Sequence, residues 1–397
     1  MRSQNDVVTL YDDNNITIDG RTSLSFSENV SARFEACGWN TMKIDGHDRD
    51  ALRVAIQEAR NGNGKPTLIS CKTVIGKDAP TKADKSAAHG SPLGVEEIRG
   101  TKEALGLDPE KEFYIPTDVY AYFRERHTEL RERRKAWEQR LENAANKEEY
   151  LKAFVEPDLT AIDWPIFEEG SSMATRSSGG KVLQAIAAAI PNFIGGSADL
   201  AGSNKTTLPG GDIRPDSFVG RNIHFGIREH AMASICNGLS LHGGILPFCA
   251  TFLVFHDYMR PAVRLSSLMH QPVSFIYTHD SIFVGEDGPT HQPIEHLESM
   301  RLIPGLWVLR PADANESAEM WKLMLSRRDG PCAICLTRQN LPVLSADAVQ
   351  GASKGGYVLR DFLDNGGKKA IILATGSEVS LAVSAIEEIE AQGIDLR

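Results

Sequence analysis

The sequence is first informative through what it lacks. None of its 397 residues belongs to an apolar run long enough to span a bilayer. The N-terminus, MRSQNDVV, has no apolar stretch of the secretory type. A membrane protein or an exported one is therefore not expected, and a cytoplasmic location is. A cationic excess is lacking too. Lys and Arg number 43 against 53 Asp and Glu, a formal net charge of −10, which disfavours nucleic acid as a partner. An anionic small substrate would need a local cluster of cations against that field. Cysteine is sparse, six in the whole chain, so no disulfide scaffold holds the fold. Cys332 and Cys335 form a CxxC, but within PCAICLTR, an apolar run that reads as a buried strand. Residues three apart on a strand point to opposite faces, so these are read as two core thiols, not a metal or redox pair.

What is present is α/β alternation in a globular composition, at a length that predicts two or more domains. Val7 to Tyr11 and Thr67 to Cys71 read as strands, with an amphipathic helix at Asp48 to Arg60 between them. That is too little for a complete doubly wound domain. Residues 117–155 are a charge-rich helical stretch with little core, read as a connector. From about Met173 to Leu341, strands alternate with helical segments: NFIGG, NIHFGI, LPFCATF, VSFIYTH, LWVLRP and CAICLTR. This is the pattern of a parallel sheet covered on both faces. The last segment, from Lys368, is one strand, one helix and the start of something else.

The richest segment is YTHDSIFVGEDGPTHQP, Tyr277 to Pro293, directly after the apolar run Val273 to Ile276. In a parallel sheet, ligands lie beyond the carboxyl ends of strands. That position holds His279, Asp280, Glu286, Asp287 and His291, spaced by Gly285 and Gly288. Imidazoles and carboxylates on such a loop suit proton handling on a polyhydroxylated substrate. Eight of the eleven histidines fall between His224 and His296. A zinc site built on His279, His291 and His296 is disfavoured, because those spacings match no usual ligand pattern and no cysteine joins them. His242 and His270 read as ordinary helix-end residues.

This loop resembles that of the transketolases, thiamine-diphosphate enzymes that move two-carbon ketol units between sugar phosphates. Further segments match in order: YDDNNITIDG (11–20), AAHGSPLG (87–94), GGSADLAGSN (195–204), FGIREHAM (225–232), TFLVFHDY (251–258), LTRQN (336–340) and ATGSEV (374–379). The resemblance implies the thiamine-diphosphate-binding fold, α/β with doubly wound parallel sheets in successive domains. It divides the chain into a partial diphosphate- and metal-binding domain (1–112), a helical connector (113–165), a pyrimidine-binding domain (166–350) and the opening of a C-terminal domain (356–397). It implies a homodimer, sugar phosphate substrates, and thiamine diphosphate with Mg²⁺ or another divalent cation such as Ca²⁺ or Mn²⁺.

Residue by residue, Asn14 and the backbone oxygen of Ile16 match the family's metal ligands; on spacing alone, DDNN reads as a turn. Glu229, opening a helix, matches the carboxyl that bonds the aminopyrimidine ring and drives its imino tautomer, a role that calls for a raised pKa. Phe255 matches the ring-stacking residue, Phe252 and Tyr258 wall the same pocket, and Asp199 is a further cofactor contact. His89 matches a residue near the cofactor diphosphate and the reacting carbons, able to shuttle protons. Arg176, Ser203 and Arg338 match phosphate-binding positions, with His279 adding a donor. Asp287 matches a sugar-hydroxyl contact, and His291 a contact to the ketol end of the donor. Departures lie at Gly76-Lys77-Asp78 and Ala83-Asp84-Lys85, charged where the family is small or polar.

The expected reaction is ketol transfer, for example from xylulose 5-phosphate to ribose 5-phosphate, through a cofactor-bound enamine. Such chemistry serves the pentose phosphate pathway or the Calvin cycle. The alternatives are another thiamine-diphosphate enzyme, a deoxyxylulose-phosphate or dihydroxyacetone synthase, and a non-catalytic fragment that only binds or dimerises. The family's GDG motif, whose Asp ligates the metal, is not in the sequence, so the chain by itself is expected to be an inactive fragment.

Overall fold

The structure is a computed structural model describing residues 7–364 and 366–397. It divides into two compact units, 1–135 and 136–397. In the first, the elements are β1 (Val8–Asp13), α1 (Val30–Ala36), β2 (Asn40–Asp45), α2 (Arg49–Arg60), β3 (Thr67–Lys72) and α3 (Val95–Ala104). The three strands form one parallel sheet in the order β1-β3-β2, with Val8 and Asn40 both in register with Thr67. Asp48 caps α2, its carboxylate accepting from the amides of Asp50 and Ala51, which satisfies helix-start donors that lack partners. Below that cap, Ala55 and Ala59 pack with Ile69 and Cys71 into a small core. The sequence reading located β1, α2 and β3 but passed over β2, a half-buried edge strand without a long apolar run.

The long helix α4 (Thr117–Glu142) buries none of its residues. Its sequence dictates this: Arg, Glu and Lys recur on every face, and pairs such as Glu129–Arg133 (2.6 Å) and Glu132–Lys135 (2.8 Å) lie one turn apart. Such pairs hold a solvated helix together by only a few tenths of a kcal/mol each. A break follows, and then the short α5 (Lys147–Lys152).

The second unit continues with β4 (Ser172–Ala174), α6 (Thr175–Ala189), β5 (Phe193–Ser197), α7 (Ala201–Asn204), α8 (Glu229–His242), β6 (Leu246–Phe252), α9 (His256–Leu268), β7 (Ser274–Thr278), α10 (His296–Arg301), β8 (Trp307–Leu309), α11 (Ala314–Ser326), β9 (Cys332–Leu336) and β10 (Asn340–Pro342). Five strands form a parallel sheet in the order β5-β6-β7-β9-β8, and β4 pairs antiparallel with β10. Alternation along the buried strands separates two cores. Phe248, Ile276 and Ile334 face Val182, Ile186 and Trp321 of α6 and α11. Cys249, Phe275 and Tyr277 face Met232, Cys236, Met259 and Val263 of α8 and α9. The sheet is thus doubly wound, as the sequence pattern implied. Cys332 falls in the first core and Cys335 in the second. Burial pushes the two thiols up, to about 11 and about 12, so neither is a reactive thiolate.

One expected strand is not formed. NIHFGI bridges β5 only at Asn222, with Ile223 donating to the Gly195 carbonyl at 2.7 Å. A Cβ on Gly196 would stand 2.0 Å from the Ile223 carbonyl oxygen, so only glycine lets the segment approach. Gly226, at φ +66°, then turns the chain toward α8. The end of the chain forms β11 (Lys368–Ala370), α12 (Glu378–Glu390) and β12 (Ile394–Leu396), with β11 and β12 a parallel pair. Neither β11 nor α12 buries a residue. Among the described residues no helix is long and apolar enough to cross a membrane.

Candidate active site

At the carboxyl ends of β5, β6, β7 and β9 the second unit gathers most of the residues singled out above. β6 runs through Phe252 into a short 3-10 turn, Leu253–Phe255, and then α9. The rings of Phe252 and Phe255 stack at 5.9 Å, and Tyr258 lies 6.0 Å from Phe255. The aromatic spacing therefore does form one wall, although it spans a strand end, a turn and a helix start. That wall, Asp199, Glu229 and His291 line a cavity of about 810 Å³. Glu229 is the first residue of α8 and only 7% exposed. Asp199 follows β5 in the left-handed region, φ +60°, a conformation unusual outside glycine and tolerated best by Asn and Asp.

His279 sits at the end of β7, 3% exposed, its ring 3.7 Å from that of Phe252. Thr278 Oγ1 donates to Asn204 Oδ1 at 2.7 Å and lies 2.8 Å from His279 Nδ1. The hydroxyl proton being used, Nδ1–H must be the donor to Thr278, which leaves Nε2 as an acceptor. Burial, with Arg176, Arg338 and His291 nearby, lowers the His279 pKa to about 3. His279 is therefore neutral at pH 7. His291, on the loop beyond, lies edge-on to Phe255 at 5.4 Å, with Nδ1 2.9 Å from Thr290 Oγ1.

Two guanidinium groups converge on the same end of the sheet. Arg176, at the start of α6, donates from Nη1 to the Ser203 carbonyl oxygen at 2.9 Å, and its Nε is buried with no partner. Burial, then the charge of Arg338, lowers its pKa, while Asp287 opposes them. Arg338, beyond β9, donates to Glu286 at 3.2 Å and remains partly exposed. A buried unpaired donor beside a second guanidinium is what an anion would complete. Asp287 is exposed on the loop between them and His291.

The first unit holds Asn14, Ile16 and His89. Asn14 Oδ1 accepts from the Ile16 amide at 2.9 Å, and Asn15 is left-handed at φ +61°. The turn expected of DDNN is thus present. The backbone bonds of the loop, Thr17 to Gly20 and Thr22 to Asn15, leave the Ile16 carbonyl oxygen unused by either. Arg21 closes this loop and pairs with Asp84, Nη1 to Oδ1 at 2.8 Å. The charge at Asp84, which departs from the family pattern, therefore has a partner. His89 is exposed, just past the 3-10 turn Ser86–Ala88. A larger concavity of about 960 Å³, lined by Trp39, Asn40, Gln57 and Asn63, lies at the amino ends of β2 and β3. It contains none of the predicted residues.

Sequence reasoning missed a second buried network. Asp280, 2% exposed, accepts from Arg310 Nε at 2.7 Å. Arg310 also donates to the Thr375 carbonyl and Ser377 Oγ, each at 3.0 Å, and to Glu378. Gly376, at φ +61°, lies so close that a Cβ there would meet Arg310 Nε at 2.6 Å. This explains the glycine of ATGSEV. The available signal was an arginine at the end of a predicted strand, facing the carboxylate next to His279.

Two family models cover most of the chain: the transketolase thiamine diphosphate binding domain over residues 2–161 and the transketolase pyrimidine binding domain over 171–343. The transketolase of Geobacillus stearothermophilus is 49% identical over 98% of this chain and 60% of its own length. That of Bacillus subtilis (strain 168) is 46% identical with the same coverage. Among solved structures, transketolase from Campylobacter jejuni superposes with a TM-score of 0.91 at 43% identity, over 99% of this chain and 61% of that one. A Pichia stipitis transketolase solved with sedoheptulose-7-phosphate matches with a TM-score of 0.90 at 38% identity, over 99% and 60%. The chain spans about 60% of the length of these relatives, and with both domain models matched in order it belongs to the transketolase family.

Proposed function

We propose that this chain carries the pyrimidine-binding part, and a portion of the diphosphate-binding part, of an enzyme that transfers a two-carbon ketol unit from a ketose phosphate to an aldose phosphate. The observation that supports this most is Glu229, buried in the aromatic cavity of Phe252, Phe255 and Tyr258, in the same unit as the Arg176–Arg338 pair. The donor set fits thiamine diphosphate: an apolar slot for a ring, one buried carboxyl for its ring nitrogen, and cations kept apart for a substrate phosphate. When bound, that cofactor supplies a nucleophilic carbon and an electron sink for cleaving a carbon–carbon bond.

The protein residues then position groups and move protons. Glu229 holds a proton at the aminopyrimidine and returns it. Phe255 stacks on the ring, the buried Phe252 excludes water, Tyr258 walls the slot at its open side, and Asp199 orients the same group. Arg176, Arg338 and Ser203 hold the sugar phosphate. His279, neutral, offers Nε2 as an acceptor to a substrate hydroxyl rather than the donor expected from the sequence. Asp287 accepts from another hydroxyl, and His291 contacts the ketol end. In the first unit, Asn14 and the Ile16 carbonyl hold the divalent cation, with Mg²⁺ the natural choice for an oxygen set, and His89 exchanges protons near the diphosphate. Residues 1–112, 113–165, 166–350 and 356–397 are read as four domain segments. The working enzyme is read as a cytoplasmic homodimer.

The test is product analysis. The chain is joined to the remaining length of the Geobacillus relative and supplied with thiamine diphosphate, Mg²⁺, xylulose 5-phosphate and ribose 5-phosphate. Sedoheptulose 7-phosphate and glyceraldehyde 3-phosphate are expected in equal amounts. Turnover of other donors with none of these products would reject the reading.

A further inference from the structure

A separate cluster lies where α9 and α10 start and is not used by the chemistry above. His296, the first residue of α10, is 4% exposed, and neither ring nitrogen has a hydrogen-bond partner. Its Nε2 lies 3.4 Å from Asp257 Oδ2, in the first turn of α9, without hydrogen-bond alignment. Glu295, immediately before α10, brings a second carboxylate, and one ligand atom from each of the three lies within 4.8 Å of the others. Two ligand atoms about 2.0–2.1 Å from a tetrahedral ion stand roughly 3.3 Å apart, so the His296–Asp257 spacing is already that of a coordinated pair. Asp257 and Glu295 are exposed. A buried imidazole with neither nitrogen hydrogen-bonded is unusual, since buried polar nitrogens are nearly always satisfied.

We propose that Asp257, Glu295 and His296 form a second metal site, separate from any diphosphate-bound cation, for a borderline divalent ion best represented by Zn²⁺. One nitrogen and two carboxylate oxygens suit Zn²⁺ better than Mg²⁺, which prefers an all-oxygen, mostly hydrated shell. The neighbouring imidazole, His256, is fully buried with its Nδ1 2.8 Å from Tyr277 Oη. The ion would fasten the start of α9, directly after Phe255, to the start of α10, which the chain reaches four residues after Gln292. Both walls of the cavity would then share one clasp.

The experiment uses the full 397-residue chain, stripped with chelator and titrated with Zn²⁺ by calorimetry in excess Mg²⁺. One zinc equivalent is expected. Asp257→Asn and His296→Gln should each weaken it about 10- to 100-fold or more, since even residues supporting a ligand have effects of that size. His242→Gln, at an exposed helix end, should leave it unchanged. Asp257→Asn changes an exposed side chain, so it decides the matter even if His296→Gln fails to fold. Absence of zinc binding in the wild type, or binding that survives Asp257→Asn at full strength, would overturn the assignment.

Discussion

Replacing Arg310 by Met should destabilise the second unit far more than any surface arginine would. Arg310 is 7% exposed and bridges the carboxyl end of β7 to the loop before α12. The substitution keeps most of the side-chain volume but removes the bond to Asp280 and those to Thr375, Ser377 and Glu378. Asp280 is left buried, with Oδ1 already lacking a partner. Breaking a buried pair from one side costs about 3–5 kcal/mol, which lowers the melting temperature by roughly 10 °C in a unit of this size. The pH dependence has a definite sign. Burial already raises the Asp280 pKa even with Arg310 beside it. Without the guanidinium it rises further, and a carboxyl with a raised folded-state pKa contributes its stability below that pKa and loses it as pH rises. The gap between mutant and wild type should therefore narrow as pH falls and Asp280 takes up a proton. Paired thermal melts by circular dichroism measure this. A gap under about 1 kcal/mol, the range of exposed pairs, or one that widens on acidification, would refute the reasoning.

Arg338→Ala should raise KM for phosphorylated donors by an amount equal to about 1.5–3 kcal/mol while sparing hydroxypyruvate; equal losses on both would mark a structural role. Trp321, fully buried between α11 and the sheet, should cost about 3–5 kcal/mol when cut to Ala, read from urea midpoints. Thiol titration of the native chain should find Cys37 alone reacting fast, because the other five cysteines are buried; rapid modification of Cys332 or Cys335 would contradict their placement in two cores. No limb of the pH–rate profile between pH 5 and 8 should vanish in His279→Gln, since His279 with a pKa of about 3 does not titrate there.

The legible part of the fold was the part written in apolar runs. LPFCATF, VSFIYTH and CAICLTR bury both faces and became β6, β7 and β9. The illegible part was held by backbone proximity instead. NIHFGI carries strand-like residues, yet its place is set by glycines at 196 and 226, and it runs beside β5 with a single bridge instead of joining the ladder. The segment LWVLRP shortened to three residues because it pairs on one side only, with β9. The candidate site was legible because its residues lie at strand ends: Phe252 closes β6, His279 follows β7 directly, and Asp199 and Arg338 stand two residues beyond β5 and β9. His256 and His296 were not, because their meaning comes from α9 and α10 being brought together, forty residues apart in sequence. The tautomer of His279 was equally hidden, since it depends on a hydroxyl proton committed to Asn204.

The central claim is that Glu229 acts on the cofactor through its buried carboxyl. Its most direct test is the rate of hydrogen–deuterium exchange at the reactive carbon of bound thiamine diphosphate, measured by NMR after acid quench. The protein is the chain completed with the remaining length of the Geobacillus relative. Glu229→Gln is expected to slow exchange by about 10²–10⁴-fold, the range for a positioned proton-transfer group, with the cofactor still bound. Exchange at the wild-type rate in that variant would contradict the account.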